Sequence, residues 1–196
     1  MSKPLPDSAL DQLFRTARTY NGYTDQPVTE VELRAIYELL KMGPTAANGQ
    51  PLRIVWCVSQ QAKETLAACA ASTNQDKILK APVTAILGMD LAFWEKLPEL
   101  FPHFDMRPYF SGDPAMAEQT AFRNSSLQGA YFIMAASALG LDTGPMSGFD
   151  NAAADAAFFA GTTVRSNFIA TLGHGDPTTI FPRSPRPAFD DMNRIA

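Results

Sequence analysis

Charge is scarce in this chain. Lys, Arg, Asp and Glu make up 18% of its 196 residues, against roughly 25% in an average soluble domain. The basic residues number 16 and the acidic ones 20, a net charge of −4. No basic block tracks a phosphate backbone, so nucleic acid is not an expected partner, nor is an anionic membrane surface. Cysteine is confined to Cys57 and Cys69, too few for a disulfide framework, and both read as free thiols. The two histidines, His103 and His174, have no Cys, His or carboxylate neighbours at ligand spacing, which argues against a metal site. No apolar run approaches the roughly 18 residues of a membrane span. The opening MSKPLPDSALDQLF has neither the apolar stretch nor the cleavage site of a secretory signal, so the expected compartment is the cytoplasm. No GxSxG elbow, P-loop or GxGxxG turn is present. Nothing marks a protein nucleophile or an acid–base pair. An enzyme built this way would take its chemistry from a cofactor.

Apolar residues, by contrast, are 46% of the chain. A chain of this length buries roughly 70% of its unfolded surface without staples, and residues 1–196 read as one domain. So much apolar surface with so little charge favours an oligomer. Asp7 or Ser8 is expected to cap a first helix with Leu10, Leu13, Phe14 and Ala17 on one face. Thr29 and Glu32 form a capping box for a second helix, with the stripe Leu33, Ile36, Tyr37 and Leu40, stopped by Gly43-Pro44. Leu52–Val58 and Val83–Met89 read as buried strands, with a helix over 60–72 between them. Residues 90–112 are rich in aromatics and proline and read as a long irregular segment, either a lid or a partner patch. Asp113-Pro114 opens the longest helix, which runs to Leu139. From Leu127 onward it is apolar nearly all round, hence expected to be central and buried. Gly140-Leu141 fits a Schellman cap. A turn over 144–149, a short helix capped by Asp150 and a strand over 164–172 complete the reading.

Three segments stand out as polar or glycine-rich: Arg18-Thr19-Tyr20-Asn21, the loop Pro44-Thr45-Ala46-Ala47-Asn48-Gly49-Gln50-Pro51, and the turn Gly144-Pro145-Met146-Ser147-Gly148. Arg183 and Arg186 in the tail are a possible fourth element. An arginine beside a hydroxyl suits a phosphate. Asn and Gln suit the edge of a heterocycle. Taken singly, each segment reads as a surface arginine, a turn or a loop.

In this order the segments resemble the flavin-dependent nitroreductase family, and the likeness covers nearly the whole chain. Thr120–Ser126 (TAFRNSS) and Gly140–Asp150 (GLDTGPMSGFD) are similar to its malonic semialdehyde reductase branch, the RutE/HadB type. The resemblance implies an α+β fold, with a mainly antiparallel sheet flanked by helices in an intertwined homodimer. It implies an FMN enzyme that uses NADH or NADPH and passes hydride, by a ping-pong cycle, to a small acceptor. That acceptor would be malonic semialdehyde, reduced to 3-hydroxypropionate, or a nitroaromatic, quinone or enone. By position, Arg18, Thr19 and Arg183 would hold the FMN phosphate and ribityl chain. Asn21, Asn74 and Lys77 would face the pyrimidine edge, with Lys77 stabilising the reduced flavin's negative charge. Ser147 and Gly148 would lie beside flavin N5 through their backbone N–H groups, with Pro145 and Met146 also contacting the cofactor. Thr45, Ala46, Asn48 and Gln50 would come from the other subunit. Ala17 and Asn21 stand where the family usually has basic residues. That departure leaves open a flavin-binding module without catalysis. Arg107 or Arg123 could meet a substrate carboxylate or serve in a structural ion pair.

Overall fold

The computed structural model describes residues 3–196. In chain order it contains α1 (Asp7–Leu10), α2 (Glu30–Leu40), β1 (Leu52–Cys57), α3 (Gln60–Ala68), α4 (Ser72–Lys80), β2 (Val83–Asp90), α5 (Leu97–Leu100), α6 (Arg107–Ser111), α7 (Pro114–Ala138), β3 (Asp142–Met146), α8 (Asn151–Phe158), β4 (Val164–Gly173) and α9 (Phe189–Met192). The strands pair antiparallel in the order β1-β2-β4-β3. β1 and β3 are therefore the two edges. The α+β fold with an antiparallel sheet flanked by helices is as expected.

Alternation along the strands sorts side chains between two apolar layers. Leu52, Val83, Ala85, Leu87, Ala170 and Leu172 share one core with Leu33, Ile36 and Leu40 of α2 and with Phe132 and Ala136 of α7. Cys57, Ile86 and Ile169 point to the other face and meet Leu66, Ala67 and Ile78 of α3 and α4. A smaller core holds Phe93, Leu97 and Phe110 against Met89, Ala117 and Ala121. The Phe93 and Phe110 rings meet edge-on with centroids 5.0 Å apart, an arrangement worth about 0.5–1.5 kcal/mol beyond burial.

Several expectations hold at the level of single bonds. Thr29 Oγ1 accepts the Glu32 N–H, and the Glu32 carboxylate accepts the Thr29 N–H at 2.7 Å. Asp113 and Asp150 cap α7 and α8 through the N–H groups of Met116 and Ala153. The Leu141 N–H bonds the Ala136 carbonyl and the Gly140 N–H that of Ser137. Gly140 takes φ +77°, so this is the Schellman cap, with Leu141 buried beside it.

Others are corrected. Neither Asp7 nor Ser8 caps α1. The Pro6 carbonyl accepts from Ala9 and Leu10 instead. A π-helical turn over Asp11–Arg15 then shifts the helical phase, and Phe14 is 59% exposed. Tyr37 lies outside the buried stripe of α2. β1 ends at Cys57, is an edge strand only partly covered along its middle, and leaves Val58 exposed. The expected helix over 60–72 ends at Ala68, and a second, unexpected helix, α4, starts at Ser72 after a break at 69–71, where Ala71 N–H bonds the Gly148 carbonyl. Residues 90–112 are not irregular, for a 3₁₀ turn over Phe93–Lys96 leads into α5, and α6 follows. The expected turn over 144–149 begins inside β3, where Pro145 is tolerated because β3 is an edge. Last, α7 is not buried all round. Asn124, Gln128, Phe132 and Ala135 lie against the sheet, while Phe122, Leu127 and Leu139 are exposed.

Candidate functional site

The sequence-predicted residues form three groups. The first is a cleft of about 360 Å³ between the end of the first helix, β3, α7 and the tail. Arg18, Thr19, Asn21, Pro145, Arg183 and Arg186 line it. Thr19 bridges to Thr143, and the Tyr20 N–H reaches the Thr143 carbonyl at 3.2 Å, which fixes the segment against β3. Two arginines then tie it to the tail. Arg18 donates to the Phe181 carbonyl, and Arg183 donates to the Ala17 carbonyl at 2.8 Å. Asn21 donates to the Thr179 carbonyl at 3.2 Å. Each guanidinium still has most of its five donors available. Arg186 instead donates to the carbonyls of Ser184 and Pro185.

The second group continues from β3. Met146 packs partly buried on the core under α3 and α4, while Ser147 and Gly148 are exposed. The Gly148 carbonyl accepts the Ala71 N–H at 3.0 Å and Asn74 Nδ2 at 3.1 Å. A Cβ on Gly148 would lie 2.7 Å from Asn74 Nδ2. Lys77 sits one helical turn along α4 from Asn74, half-buried. Asn74 thus meets the 147–148 backbone from α4, a helix that the sequence reading does not assign.

The third group precedes β1. Ala47, Asn48 and Gln50 take φ of 50°, 50° and 45°, sparsely populated values that persist only where the surroundings impose them. Those surroundings are polar groups on α7. The Ala46 N–H bonds Asn124 Oδ1 at 2.8 Å. Gln128 Nε2 donates to Gln50 Oε1 at 2.6 Å, and Gln128 Oε1 accepts the Leu52 N–H at 2.9 Å. Asn48 donates to the Leu100 carbonyl, Gln50 Nε2 donates to Asn48 Oδ1, and Thr45 Oγ1 accepts the Gln50 N–H. Sequence reasoning missed Asn124 and Gln128 as organisers of this loop. Their signal was available, as buried amides four residues apart on an apolar helix.

The first two groups flank β3 and the third precedes β1, at opposite edges of the sheet. Three strand spacings separate those edges, about 14 Å, so one chain does not bring all three groups together. Burial pushes the Cys57 thiol up to about 11, an inert thiol. Burial also raises Asp142, although its carboxylate accepts the Gly175 N–H at 2.9 Å. His103 is exposed and meets the Phe101 ring edge-on. His174 has its Nε2 3.9 Å from Glu32 Oε1. Among the described residues no helix is long and apolar enough to cross a membrane.

An antiparallel sheet with α7 packed across it and an arginine-lined cleft along β3 defines an α+β class in which other folds are already solved. A structure from Exiguobacterium sibiricum 255-15, assigned as a nitroreductase and solved in complex with FMN, superposes with a TM-score of 0.85 at 19% identity, covering 100% of both chains. The sequence pattern of the Nitroreductase family matches residues 14–174. The chain belongs to the nitroreductase family. A Burkholderia lata protein whose name proposes an NADH dehydrogenase/NAD(P)H nitroreductase is 59% identical over 191 residues, 97% of this chain and 98% of that one. HadB of Ralstonia pickettii, named for the same proposed activity, is 56% identical over 191 residues, 96% of this chain and 97% of that one.

Proposed function

We propose that this chain is a single-domain cytoplasmic FMN-dependent NAD(P)H oxidoreductase. It works as a homodimer and reduces malonic semialdehyde to 3-hydroxypropionate by ping-pong hydride transfer. The observation that carries this reading is the cleft along β3, where Arg18 and Arg183 converge from the two ends of the chain. Two guanidiniums beside Thr19 suit a dianionic phosphate through charge-assisted bonds. The donor set fits FMN in the second group as well. Gly148 presents bare backbone, where a side chain would crowd Asn74.

Bound FMN would supply hydride transfer at N5. The chain's own residues bind and orient it. Arg18, Thr19 and Arg183 hold the phosphate and ribityl chain, and Asn21 and Asn74 offer donor and acceptor to the pyrimidine edge. The Lys77 ammonium, half-buried on the same helix face as Asn74, stabilises negative charge at the reduced ring. The backbone N–H groups of Ser147 and Gly148 would face the redox-active part of the ring, with Pro145 and Met146 lining the approach. Thr45, Ala46, Asn48 and Gln50 complete the site from a second copy, which accounts for their place at the opposite edge of the sheet. The same dimer would cover the exposed apolar face of α7 and the open edge of β1.

The acceptor rests on the branch-like text TAFRNSS and GLDTGPMSGFD, with 56% identity to HadB. A second reading, reduction of nitro compounds, is supported by the names of both relatives. Purified protein tests the whole. It should be yellow, oxidise NAD(P)H, and after anaerobic reduction be reoxidised fastest by malonic semialdehyde in an acceptor screen. Colourless protein that cannot be reconstituted with FMN would sink the reading. Faster reoxidation by nitroaromatics would favour the second.

A further inference from the structure

We propose that Tyr23 is a positioning residue for the flavin. Acting through Thr171, its hydroxyl locks the segment that carries Arg18, Thr19 and Asn21 onto β3, the strand that leads through Pro145 to Ser147 and Gly148. This role rests on the FMN reading above and belongs to a side chain outside the cleft lining.

Two tyrosine rings are seated where glycines leave room. A Cβ on Gly175 would lie 2.4 Å from the Tyr20 ring, and one on Gly173 would lie 2.7 Å from the Tyr23 ring. Backbone bonds follow the same line. Tyr23 forms an antiparallel bridge with Gly175, the Thr24 N–H bonds the His174 carbonyl at 2.8 Å, and the Asp176 N–H bonds the Gly22 carbonyl at 3.1 Å. Thr19 meanwhile bridges to Thr143. The 19–24 segment therefore runs beside the end of β4 and the start of β3.

This seating places the Tyr23 oxygen 2.7 Å from Thr171 Oγ1, and the Thr171 hydroxyl donates to the Gly144 carbonyl at 3.3 Å. Thr171 has one hydroxyl proton. With that proton on Gly144, Tyr23 donates and Thr171 accepts. Burial holds the Tyr23 phenol above its ordinary value, so it keeps the proton that the bond uses. Thr171 is 1% exposed, and a buried hydroxyl stripped of its partner is costly.

The far end of this chain is Gly144, which stands between Thr143 and Pro145. Both neighbours line the cleft together with Arg18, Thr19 and Asn21. Gly144 has no room to shift. A Cβ there would lie 2.4 Å from Thr171 Oγ1 and 2.6 Å from the Tyr20 carbonyl oxygen. One hydroxyl thus couples the 19–24 segment, β4 and β3, the pieces on which the phosphate and ring ends of the flavin site are built. A site fixed before its ligand arrives loses less freedom on binding.

The test compares wild type, Y23F, T171V, T171S and Y23F/T171V. FMN is titrated into each apo-protein by fluorescence quenching. The visible circular dichroism of the FMN-saturated protein and the Tm of the apo-protein are recorded alongside. Y23F keeps the ring on Gly173 and removes the hydroxyl. Its dissociation constant should rise about 3- to 10-fold, the value of one hydrogen bond. The flavin dichroism should change with it, because the two ends of the site are no longer held in one relation. T171V should do the same, and T171S should restore both readouts. Y23F/T171V should bind no more weakly than the worse single variant, since the two hydroxyls act as a unit. A Y23F protein with wild-type FMN affinity and flavin dichroism overturns the proposal even if its Tm falls, for the bond would then serve stability alone. Additive losses in the double variant overturn it as well. Should Y23F fail to fold, T171V against T171S decides, and equal affinity and dichroism in those two overturn the proposal. A wild type that binds no FMN overturns the FMN reading itself.

Discussion

Gln128 and Gln50 are joined by one hydrogen bond of 2.6 Å, amide nitrogen to amide oxygen, and Gln128 is 2% exposed. The same side chain accepts the Leu52 N–H at the start of β1. One buried amide therefore sets both the strained loop and the first residue of the edge strand. Replacing it with leucine leaves a buried N–H and a buried carbonyl oxygen without partners. Q128L should lose about 2 kcal/mol, a fall in Tm of roughly 4–8 °C by circular dichroism. FMN affinity should fall with it, because Ala47, Asn48 and Gln50 would no longer be held at positive φ. An unchanged Tm would show that the loop is held by other contacts.

Arg18→Ala should weaken FMN by about one to two decades, the value of a charge-assisted bond of roughly 1.5–3 kcal/mol. Cooperative unfolding of the apo-protein should persist, because Arg18 contributes nothing to the apolar cores. Quenching of FMN fluorescence gives the dissociation constant. A mutant that binds FMN as wild type does would move the phosphate away from this cleft, and the roles of Thr19 and Asn21 with it.

The capping box predicts a pH dependence. The Thr29 N–H and hydroxyl hold the Glu32 carboxyl below its ordinary value of 4.5. A carboxyl depressed in the folded state adds stability above its unfolded value and loses it as pH falls through the lower folded value. E32Q should therefore be less stable than wild type near neutrality, by about 0.3–1 kcal/mol for an anion at a helix N-terminus. The two proteins should converge once the pH falls below the lowered folded value of Glu32. Urea titrations at several pH values measure this, and a gap that persists in acid would assign the effect to packing.

Leu127 stands 43% exposed on the open face of α7. If a second copy covers that face, L127E places a carboxylate in the interface. Dimerisation should weaken by roughly two decades, with FMN lost in parallel and the far-UV spectrum retained. Sedimentation velocity across a dilution series reads the shift. A wild type that sediments as a monomer while holding FMN would refute the dimer directly.

What the chain determined locally is what local chemistry can determine. The capping box at Thr29 and Glu32, the caps at Asp113 and Asp150 and the Schellman turn at Gly140 each involve groups within five residues of one another. Such bonds follow from residue type and spacing before any tertiary contact exists. The strands at β2 and β4 were legible because the chain there is apolar or β-branched between turn residues. The order of the polar segments was legible too, and with it the family.

Tertiary structure decided everything that depends on which surface meets which. α7 looks apolar all round in sequence, yet only the stripe through Asn124, Gln128 and Phe132 meets the sheet. The periodicity of an evenly apolar helix cannot say which face turns inward. The 144–148 segment reads as a turn because Gly and Pro weaken strands. β4 pairs with it regardless, because an edge strand needs partners on one side only. Arg18 and Arg183 lie 165 positions apart by their numbering, and the tail's path across the end of the first helix brings both into one cleft. Long-range placement of this kind follows from the sum of packing across the sheet, to which no single segment carries the information.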